Sequence, residues 1–329
     1  MPLENKRCVF RGQTKEECMP KVLVTPRSFA QYCEKPYNKL EQAGIEIIKN
    51  PVSNVMTKEE MKTHIRGVDG VIIGVDPLDA DVLRASNVKA VSKYGVGTDN
   101  IDLEYCRTNN IEVTITQNAN SQAVADYTFA LLLGVARRMV EIDKGCRKGD
   151  WSKKVAIDVF GKKLGIVGLG AIGKGVAKRA KGFDMEVYGY DIYKDEAYLE
   201  ENKITFATLE DMIETCDFIS LHMPLTKETK NLIDAKALNK AKENLVLINT
   251  ARGGIINEED LYDALKSRRI FGAGIDAFEH EPATDSKLME LDNVIVGSHC
   301  GASTRGAVDT MSNMAADNII RVFKEKGLI

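Results

Sequence analysis

The sequence lacks any long uninterrupted hydrophobic segment. Its longest apolar stretches are of strand length or are interrupted by charge, as at 127–135, which is followed by Arg137 and Arg138. A helix that spans a bilayer needs about 20 consecutive apolar residues, so no membrane span is predicted. The segment 1–21 is also too polar for the core of a signal peptide. We therefore expect a cytoplasmic protein with no membrane partner.

A dominant charge of one sign is also missing. The chain carries 45 Lys and Arg against 48 Asp and Glu, for a net charge of −3, and the two signs are interspersed. Without a basic stripe or an acidic tail, neither nucleic-acid binding nor a long disordered segment is predicted. At 329 residues, 44% of them hydrophobic, the chain exceeds one typical domain, so two domains are expected.

Cysteines with the spacing of a disulfide framework or a zinc site are absent as well. The seven cysteines are scattered and include no Cys-x-x-Cys pair: Cys8, Cys18, Cys33, Cys106, Cys146, Cys216 and Cys300. We therefore predict neither disulfides nor a metal site. Cys300 directly follows His299, but it ends an apolar strand pattern in which small residues are common. We interpret it as structural rather than as a nucleophile.

The most informative feature that is present is a glycine-rich turn near the middle of the chain. Gly168, Gly170 and Gly173 form a Gly-x-Gly-x-x-Gly pattern, with Ala171 and Ile172 before the third glycine. The first glycine permits a tight turn, the second lets a pyrophosphate approach the backbone, and the third lets the following helix pack close to its strand. Unpaired N–H groups at that helix N-terminus favour an anion. Similar turns also serve packing alone, so the motif needs support from its surroundings.

An acid at the end of the next strand pattern supplies that support. Asp191 stands 23 residues after Gly168, at the end of the apolar segment 185–190. A carboxylate there accepts hydrogen bonds from ribose hydroxyls and repels a 2′-phosphate. Strand, turn, helix and acid together predict a dinucleotide site that prefers NAD to NADP.

Strand patterns alternate with helix patterns along the chain. A first series places strands at 22–25, 45–48, 71–74, 90–94 and 112–115, with helices at 28–43 and 57–66. A second series follows a long helix at 120–145 and places strands at 164–167, 185–190, 218–222, 245–249, 272–275 and 294–297. This alternation predicts an α/β protein with two parallel-sheet domains, flavodoxin-like and Rossmann-like.

The last predicted helix, at 303–326, has no strand after it. The simplest arrangement returns it to the first series of strands. Residues 1–119 and 303–329 would then form a discontinuous substrate domain, and 120–302 the NAD-binding Rossmann domain. We expect the substrate to bind in a cleft between the two domains.

Polar residues follow the predicted strands of the second series: Asp191, His222, Arg252, Asp276, Glu281 and His299. Ligands bind at the carboxyl ends of strands in an open parallel sheet, so these residues share one rim. An enzyme that moves a hydride to a carbonyl needs a proton donor, and His299 with Glu281 as its carboxylate partner suits this role. Arg252 offers a planar fork to a 2-oxo acid. From the residues alone, a surface ion pair for the arginine and plain surface polarity for the histidine remain open.

The order of the motifs resembles the D-isomer-specific 2-hydroxyacid dehydrogenase family over 21–323. The matching segments are 95–102, 168–173, 222–226 with Thr229, 249–257, and 276–282 with 299–301. The resemblance implies an NAD-dependent oxidoreductase that interconverts a D-2-hydroxy acid and its 2-oxo acid. It implies that Arg252, Glu281 and His299 are the catalytic residues.

The resemblance also implies the residues around the cofactor and the substrate. Besides the glycine turn and Asp191, the cofactor contacts would be His222, Pro224, Thr229, Thr250, Ala251, Asp276 and Gly301, with Asp276 at the nicotinamide carboxamide. The substrate contacts would be Lys93, Tyr94, Gly95, Val96, Gly97 and Arg252, with the backbone N–H groups of 94–97 on its carboxylate. Asp126 stands where the family more often has a glutamate, and we interpret His64 and His280 as surface residues.

Within the family, the chain resembles the 3-phosphoglycerate dehydrogenase-like branch. Lys93 stands where that branch often carries an arginine for the phosphate, whereas Gly74 stands where animal members show a second one. Arg27 could supply the distal cation for a phosphate or sulfonate, or could be a plain surface arginine. A hydroxypyruvate or glyoxylate reductase, or another D-2-hydroxyacid dehydrogenase, remains open. The alternative from another class is an NAD-sensing dimer of the corepressor type without significant turnover.

The same resemblance bears on assembly. The apolar helix pattern at 124–140 and its extension through Trp151 look like the dimerisation arm of the family. A homodimer through the NAD-binding domain is therefore predicted. A helix buried in the core is the alternative interpretation of the same pattern.

Overall fold

The computed structural model describes residues 19–52 and 54–329, and these divide into two compact units. The first unit comprises the described chain up to Ala119 together with Arg305–Ile329, and the second comprises Asn120–Thr304. The chain therefore returns to its first unit at the end. The assignment of substrate binding to the first unit and cofactor binding to the second stays a prediction from the sequence.

The first unit is built on a parallel sheet. Its strands are β1 (Lys21–Val24), β2 (Glu46–Lys49), β3 (Gly70–Ile73), β4 (Ala90–Lys93) and β5 (Glu112–Ile115). They lie side by side in the order β2-β1-β3-β4-β5, which is the flavodoxin-like order. Every residue of β3 and β4 is buried, as expected when helices cover both faces of a parallel sheet.

Helices flank this sheet: α1 (Lys35–Gln42), α2 (Lys58–His64), α3 (Ala80–Arg84), α4 (Leu103–Thr108) and the C-terminal helix Arg305–Glu325. The helix predicted at 28–43 begins later, because Pro36 lacks an N–H group and cannot continue a helix from upstream. The C-terminal helix packs on β3, β4 and β5 and buries Ala315, Ile319 and Phe323. This packing is what holds the end of the chain in the first unit.

The second unit contains the larger sheet, also entirely parallel. Its strands are β6 (Lys163–Val167), β7 (Glu186–Tyr190), β8 (Thr205–Phe206), β9 (Phe218–Leu221), β10 (Val246–Asn249), β11 (Gly272–Ile275) and β12 (Val294–Val296). Their order is β12-β11-β10-β9-β6-β7-β8, so the winding reverses between β6 and β9. The predicted fold class, α/β with two parallel sheets, is confirmed. The edge strand β8 was not predicted, because two residues are too few to form a pattern.

The helices of the second unit are α5 (Ser121–Ala136), α6 (Met139–Arg147), α7 (Ala171–Ala180), α8 (Glu196–Asn202), α9 (Leu209–Thr215), α10 (Ala235–Lys240) and α11 (Glu258–Lys266). The single helix predicted at 120–145 is broken at Arg138, whose φ of 52° is left-handed. Helix α5 packs against α7, β10 and β11, with Ala125, Leu132 and Ala136 fully buried. This part of the predicted dimerisation arm is therefore a core helix and not a free surface.

The central strands of the second unit are buried on both faces. Ile166, Phe218 and Ile248 join the cluster under α5 and α7, whereas the residues next to them in the chain, such as Val167 and Ile219, join the cluster on the other face. Alternation of this kind follows from the pleat of a strand. The buried strands give the polar residues at their carboxyl ends a rigid support.

In the described part of the chain, no helix is long and apolar enough to cross a membrane. Cys106 is buried in the first unit and Cys216 in the second, and burial raises the pKa of each thiol to about 11. Both thiols therefore stay protonated at neutral pH, which suits a role in packing. Cys8 and Cys18 lie outside the described residues.

Candidate active site

The glycine turn connects β6 to α7, and its backbone geometry explains the glycines. Gly168 has a φ of +97°, and a Cβ there would lie 2.5 Å from the carbonyl oxygen of His222. A Cβ on Gly173 would lie 2.0 Å from the carbonyl oxygen of Gly168, whereas one on Gly170 would meet nothing within 4 Å. Side chains are thus excluded at the first and third glycines for packing reasons. The second glycine leaves the N-terminus of α7 open to a ligand.

Asp191 follows β7 and lies beside this turn. Its Oδ2 accepts the N–H of Leu169 at 2.7 Å, and its Oδ1 accepts the N–H of Tyr193 at 3.0 Å. A carboxylate oxygen has two lone pairs, so both oxygens can accept further hydrogen bonds from ribose hydroxyls. The bond to Leu169 fixes the acid to the glycine turn, a contact that the spacing of the motif did not reveal. An open turn with a fixed carboxylate beside it fits NAD.

His299 and Glu281 form a close pair. The Nδ1 atom of His299 lies 3.0 Å from Oε2 and 3.1 Å from Oε1 of Glu281, and the N–H of Phe278 donates to Oε1 at 3.0 Å. Burial raises the pKa of Glu281, but the bonds from His299 and Phe278 and the charges of His299 and Arg252 outweigh it, so this pKa is lowered. The carboxylate is therefore ionised at neutral pH. It holds Nδ1 of the histidine, which leaves Nε2 as the atom that can exchange a proton with a substrate.

Arg252 lies in the loop after β10, and Asn249 braces that loop. The side chain of Asn249 donates to the carbonyl of Arg252 at 2.8 Å and accepts the N–H of Ala251 at 3.0 Å. A Cβ on Gly253 would lie 1.9 Å from the carbonyl carbon of Phe278, so only glycine lets this loop lie on the segment that leads to Glu281. The charge of Arg252 acts on the carboxylate of Glu281, which contacts His299, so the three predicted catalytic residues lie near one another.

Asp276 is 2% exposed and holds the backbone around His299. Its Oδ1 accepts the N–H of Cys300 at 3.0 Å, its Oδ2 accepts the N–H of Gly301 at 2.8 Å, and its carbonyl accepts the N–H of His299 at 2.9 Å. His299 has a left-handed φ of 55°, a conformation that costs about 1–2 kcal/mol for a residue with a Cβ. The sequence predicted a nicotinamide contact for Asp276 and missed this second role.

His222 was predicted to line the cofactor pocket, which stays a prediction; the structure shows that its ring is enclosed. Nε2 lies 2.8 Å from the hydroxyl of Ser220, and Nδ1 is inaccessible and has no hydrogen-bond partner among the described residues. The residue as a whole is half-buried, but its ring is buried, and burial lowers its pKa to about 3. His222 is therefore neutral at physiological pH. The carbonyl group of His222 packs against Gly168 of the glycine turn.

Other predicted cofactor residues brace their own loops. The Thr229 hydroxyl donates to the carbonyl of Pro224 at 2.8 Å and closes the loop after β9. The Thr250 hydroxyl lies 3.0 Å from that of Thr128 on α5. These contacts by themselves explain why residues with a hydroxyl group occupy both positions. Their role toward the cofactor stays a prediction.

The predicted substrate loop after β4 lies in the first unit. The N–H of Tyr94 donates to the carbonyl of Ile73 and that of Gly95 to the hydroxyl of Thr116, both at 2.8 Å. Two of the four N–H groups predicted to bind a substrate carboxylate are therefore already used within the first unit. The N–H groups of Val96 and Gly97 remain the candidates.

Lys93, predicted to contact the substrate, is 6% exposed. Its ammonium group donates to the carbonyl of Gly74 and, at 2.8 Å, to the side-chain oxygen of Asn100. The side-chain nitrogen of Asn100 donates in turn to the carbonyls of Gly74 and Asp76. The sequence placed Asn100 inside a matching motif, which was the available signal for its importance, but did not predict that it would hold the lysine.

Asp126 forms an ion pair on the face of the second unit. The carboxylate accepts from Nε of Arg179, on α7, at 2.7 Å and from Nη2 at 2.6 Å. The shorter acid at this position therefore still joins α5 to α7. This settles its local contact as a structural one.

Comparison with known proteins identifies the class. The family model for the NAD binding domain of D-isomer specific 2-hydroxyacid dehydrogenases matches residues 129–301. The chain is also 39% identical over 319 residues to a glyoxylate reductase of Thermococcus litoralis, covering 93% of this chain and 94% of that protein. The chain belongs to the D-isomer specific 2-hydroxyacid dehydrogenase family and is an NAD-dependent dehydrogenase.

Two further comparisons show the range of this family. A D-3-phosphoglycerate dehydrogenase of Methanocaldococcus jannaschii is 36% identical over 317 residues, which cover 93% of this chain and 58% of that protein. A crystal structure of D-lactate dehydrogenase from Aquifex aeolicus with NAD and lactic acid matches at a TM-score of 0.80 and 28% identity, covering 93% of this chain and 96% of that one. The family resemblance found in the sequence is confirmed. The identities alone do not separate the substrate branches.

Proposed function

We propose that this enzyme reduces a small 2-oxo acid without a distal phosphate, of the glyoxylate or hydroxypyruvate class, to the 2-hydroxy acid. The observation that carries the proposal is the burial of Lys93, together with the 39% identity to a glyoxylate reductase. A phosphate carries close to two negative charges at neutral pH and needs accessible cations. The lysine predicted to meet that charge is instead bonded inside the first unit.

The other two positions considered for binding a distal phosphate also support an unphosphorylated substrate. Gly74 has no side chain, and its carbonyl accepts from both Lys93 and Asn100. Arg27, just after β1, is exposed and is the remaining candidate cation. With Arg252 proposed for the carboxylate, a distal phosphate would depend on Arg27 alone, which supports an unphosphorylated substrate better.

The proposed catalytic roles follow from the geometry of the second unit. NADH, held by the glycine turn and Asp191, supplies the hydride when bound. Nε2 of His299 donates a proton to the oxygen of the substrate carbonyl, because Glu281 holds Nδ1 and stabilises the charged imidazole. Arg252 binds the substrate carboxylate and polarises the carbonyl. Asp191 favours the unphosphorylated ribose of NAD.

The first experiment measures the oxidation of NADH by its absorbance with a panel of substrates. The panel contains glyoxylate, hydroxypyruvate, pyruvate and 3-phosphohydroxypyruvate, and NADPH is the cofactor control. We expect kcat/KM for glyoxylate or hydroxypyruvate to exceed that for the phosphorylated acid by about tenfold or more, the effect of about 1.4 kcal/mol in the transition state. A preference for 3-phosphohydroxypyruvate would overturn the proposal. Arg27→Ala would then show whether that arginine binds the phosphate.

The second candidate is 3-phosphoglycerate dehydrogenase activity, favoured by the 36% identity to the archaeal enzyme of that name. The panel above separates it from the first candidate by the substrate preferred. Tight NADH binding without turnover of any 2-oxo acid would instead favour the cofactor-sensing dimer.

We also propose that the chain forms a homodimer through the second unit. The support comes from exposed apolar side chains on α6 and the segment after it: Met139, Val140, Trp151, Val155 and Phe160. Several exposed apolar residues in one segment of a chain are typical of interaction surfaces. Light scattering of the protein and of a Trp151→Lys variant tests this, with a monomer expected for the variant and a wild-type monomer contradicting the proposal.

A further inference from the structure

The short segment that carries His299 packs against the buried Asp276 and the half-buried Tyr127. A Cβ on Gly297 would lie 2.1 Å from Oδ1 of Asp276 and 2.6 Å from the hydroxyl oxygen of Tyr127. A Cβ on Gly301 would lie 3.1 Å from Oδ2 of Asp276 and 3.6 Å from Cδ1 of Tyr127. The space that side chains would take at both ends of the segment is thus filled by the same two residues.

A polar contact joins Tyr127 to the residue after the histidine. The thiol of Cys300 lies 3.2 Å from the hydroxyl oxygen of Tyr127 and 3.7 Å from Oδ1 of Asp276. Burial raises the pKa of Tyr127, and so do its contact with Cys300 and the charge of Asp276. The phenol therefore stays neutral throughout the working pH range. Tyr127 is part of α5, the core helix of the second unit, which gives the contact a rigid origin.

The position of this contact matters because of the backbone next to it. His299 is held in a left-handed conformation, and its ring must point its Nδ1 atom at Glu281, 3.0 Å away. A change at the following peptide would rotate the ring away from the carboxylate. We propose that Tyr127 is a positioning residue that, through the thiol of Cys300, fixes the backbone conformation that aims His299 at Glu281. The proposal rests on the proposed role of His299 as proton donor.

Tyr127→Phe removes the hydroxyl and keeps the ring. We expect kcat to fall about three- to tenfold, the range of one lost hydrogen bond, with KM for NADH nearly unchanged. The acidic limb of the pH profile of kcat/KM should move to higher pH, because the bond from His299 that helps to lower the pKa of Glu281 is weakened. A purely structural role would lower the melting temperature and leave this limb in place. Wild-type kcat together with a wild-type pH profile would overturn the proposal.

Tyr262→Phe is the matched control. Its hydroxyl lies 3.0 Å from Nζ of Lys266 on α11, so the variant loses one tyrosine contact away from His299. We expect wild-type kcat and a wild-type pH profile from it. An equal loss in both variants would mean that the effect of Tyr127→Phe is not specific to the histidine segment.

A double-mutant cycle tests the route through the thiol. Cys300→Ala and Tyr127→Phe remove the two sides of one contact, so their effects on kcat should not add in the double variant. Cys300→Ser, which keeps a hydrogen-bonding group, should retain more activity than Cys300→Ala. Fully additive effects of the two single variants would contradict a role through Cys300.

One more variant separates this proposal from the catalytic one. If His299→Gln keeps full turnover, the proposed function of the histidine is wrong and the positioning role falls with it. If His299→Gln loses turnover while Tyr127→Phe keeps both kcat and the pH profile, only the positioning role is wrong.

Discussion

The two units place polar side chains at the carboxyl ends of parallel strands, but they use them in opposite ways. In the second unit, backbone N–H groups fix the carboxylates of Asp191 and Glu281, and further lone pairs stay available. In the first unit, Lys93 and Asn100 bond to each other and to the carbonyl of Gly74. At the same place in the two parallel sheets, His299 and Glu281 remain accessible in the second unit, whereas Lys93 is enclosed in the first.

This difference shows that the type of a residue and its place in the fold are not enough to predict its role. The burial of its side chain must also be known. His299 and Glu281 keep about two-fifths of their side-chain area accessible, at 41% and 37%. Lys93 keeps 6% of its area. A charged group that is enclosed and bonded on the inside stabilises its surroundings, whereas one that remains accessible can meet a substrate.

The largest expected effect is a loss of turnover when the proposed proton donor of the second unit is replaced. We expect His299→Gln to lower kcat by about 10²–10⁴-fold, because the proton donor to the carbonyl oxygen is lost. The dissociation constant of NADH should stay within about twofold, which corresponds to about 0.4 kcal/mol, because the glycine turn and Asp191 are unchanged. Steady-state kinetics and fluorescence titration measure the two quantities. His280→Gln, an exposed neighbour of Glu281, is the control, and an unchanged kcat in His299→Gln would refute the assignment.

The next expected effect concerns the first unit. Lys93→Met should lower the free energy of unfolding by about 2–4 kcal/mol, because buried acceptors lose their charged donor. Its kcat/KM for glyoxylate should change far less than that of His299→Gln. Urea unfolding and kinetics of the same preparation provide the test, with the exposed Lys89→Met as control. A large fall in kcat/KM at unchanged stability would show that Lys93 meets the substrate after all.

A smaller effect is expected at the cofactor rim. Asp191→Ser should raise the ratio of NADPH to NADH efficiency by about tenfold, because the repulsion of a 2′-phosphate disappears. The same panel measured with both cofactors gives this ratio. Glu186→Gln, at the opposite end of β7, removes an acid without touching the turn and should leave the ratio as it is. If both variants behave alike, Asp191 does not select the cofactor.

The smallest effect depends on pH and on His222. The pKa of this histidine is lowered from 6.5 to about 3 by burial, so below pH 6.5 the unfolded chain binds a proton that the folded chain does not. Stability should therefore fall as pH falls from 6.5 toward 3, by up to about 1.4 kcal/mol per pH unit from this group. His222→Gln should flatten this dependence in urea unfolding between pH 7 and pH 5. An identical slope in the wild type and the variant would mean that the ring is protonated in the folded protein.

Much of the candidate site was readable from the sequence, because it depends on backbone requirements that few residues meet. The glycines at 168 and 173 stand where a Cβ would collide with the backbone, so the motif reports a real geometric restriction. The polar residues after the strands were predicted to share a rim, since parallel strands end at the same edge. His299 and Glu281, 18 residues apart in the chain, are indeed in contact, although their catalytic role stays a proposal.

The contacts that the sequence did not predict join residues distant in the chain. The pattern at 124–140 is mostly apolar, and such a pattern is the same whether the helix packs on its own core or on a second copy of the chain. Lys93 follows a strand as a ligand residue would, but its partner Asn100 and the carbonyl of Gly74 come together only in the folded sheet. His222 lacks any sequence signal for the enclosure of its ring.

The sequence by itself determined the α/β fold, the family and the glycine turn, because strand and helix periods and the absence of a Cβ are local properties. Only the tertiary structure decided which polar groups remain accessible, since burial is set by segments far apart in the chain. It enclosed Lys93, neutralised His222 and placed Tyr127 beside Cys300. The charge and hydrogen-bonding capacity of a side chain are fixed by its type, but the partners that use them are fixed by packing.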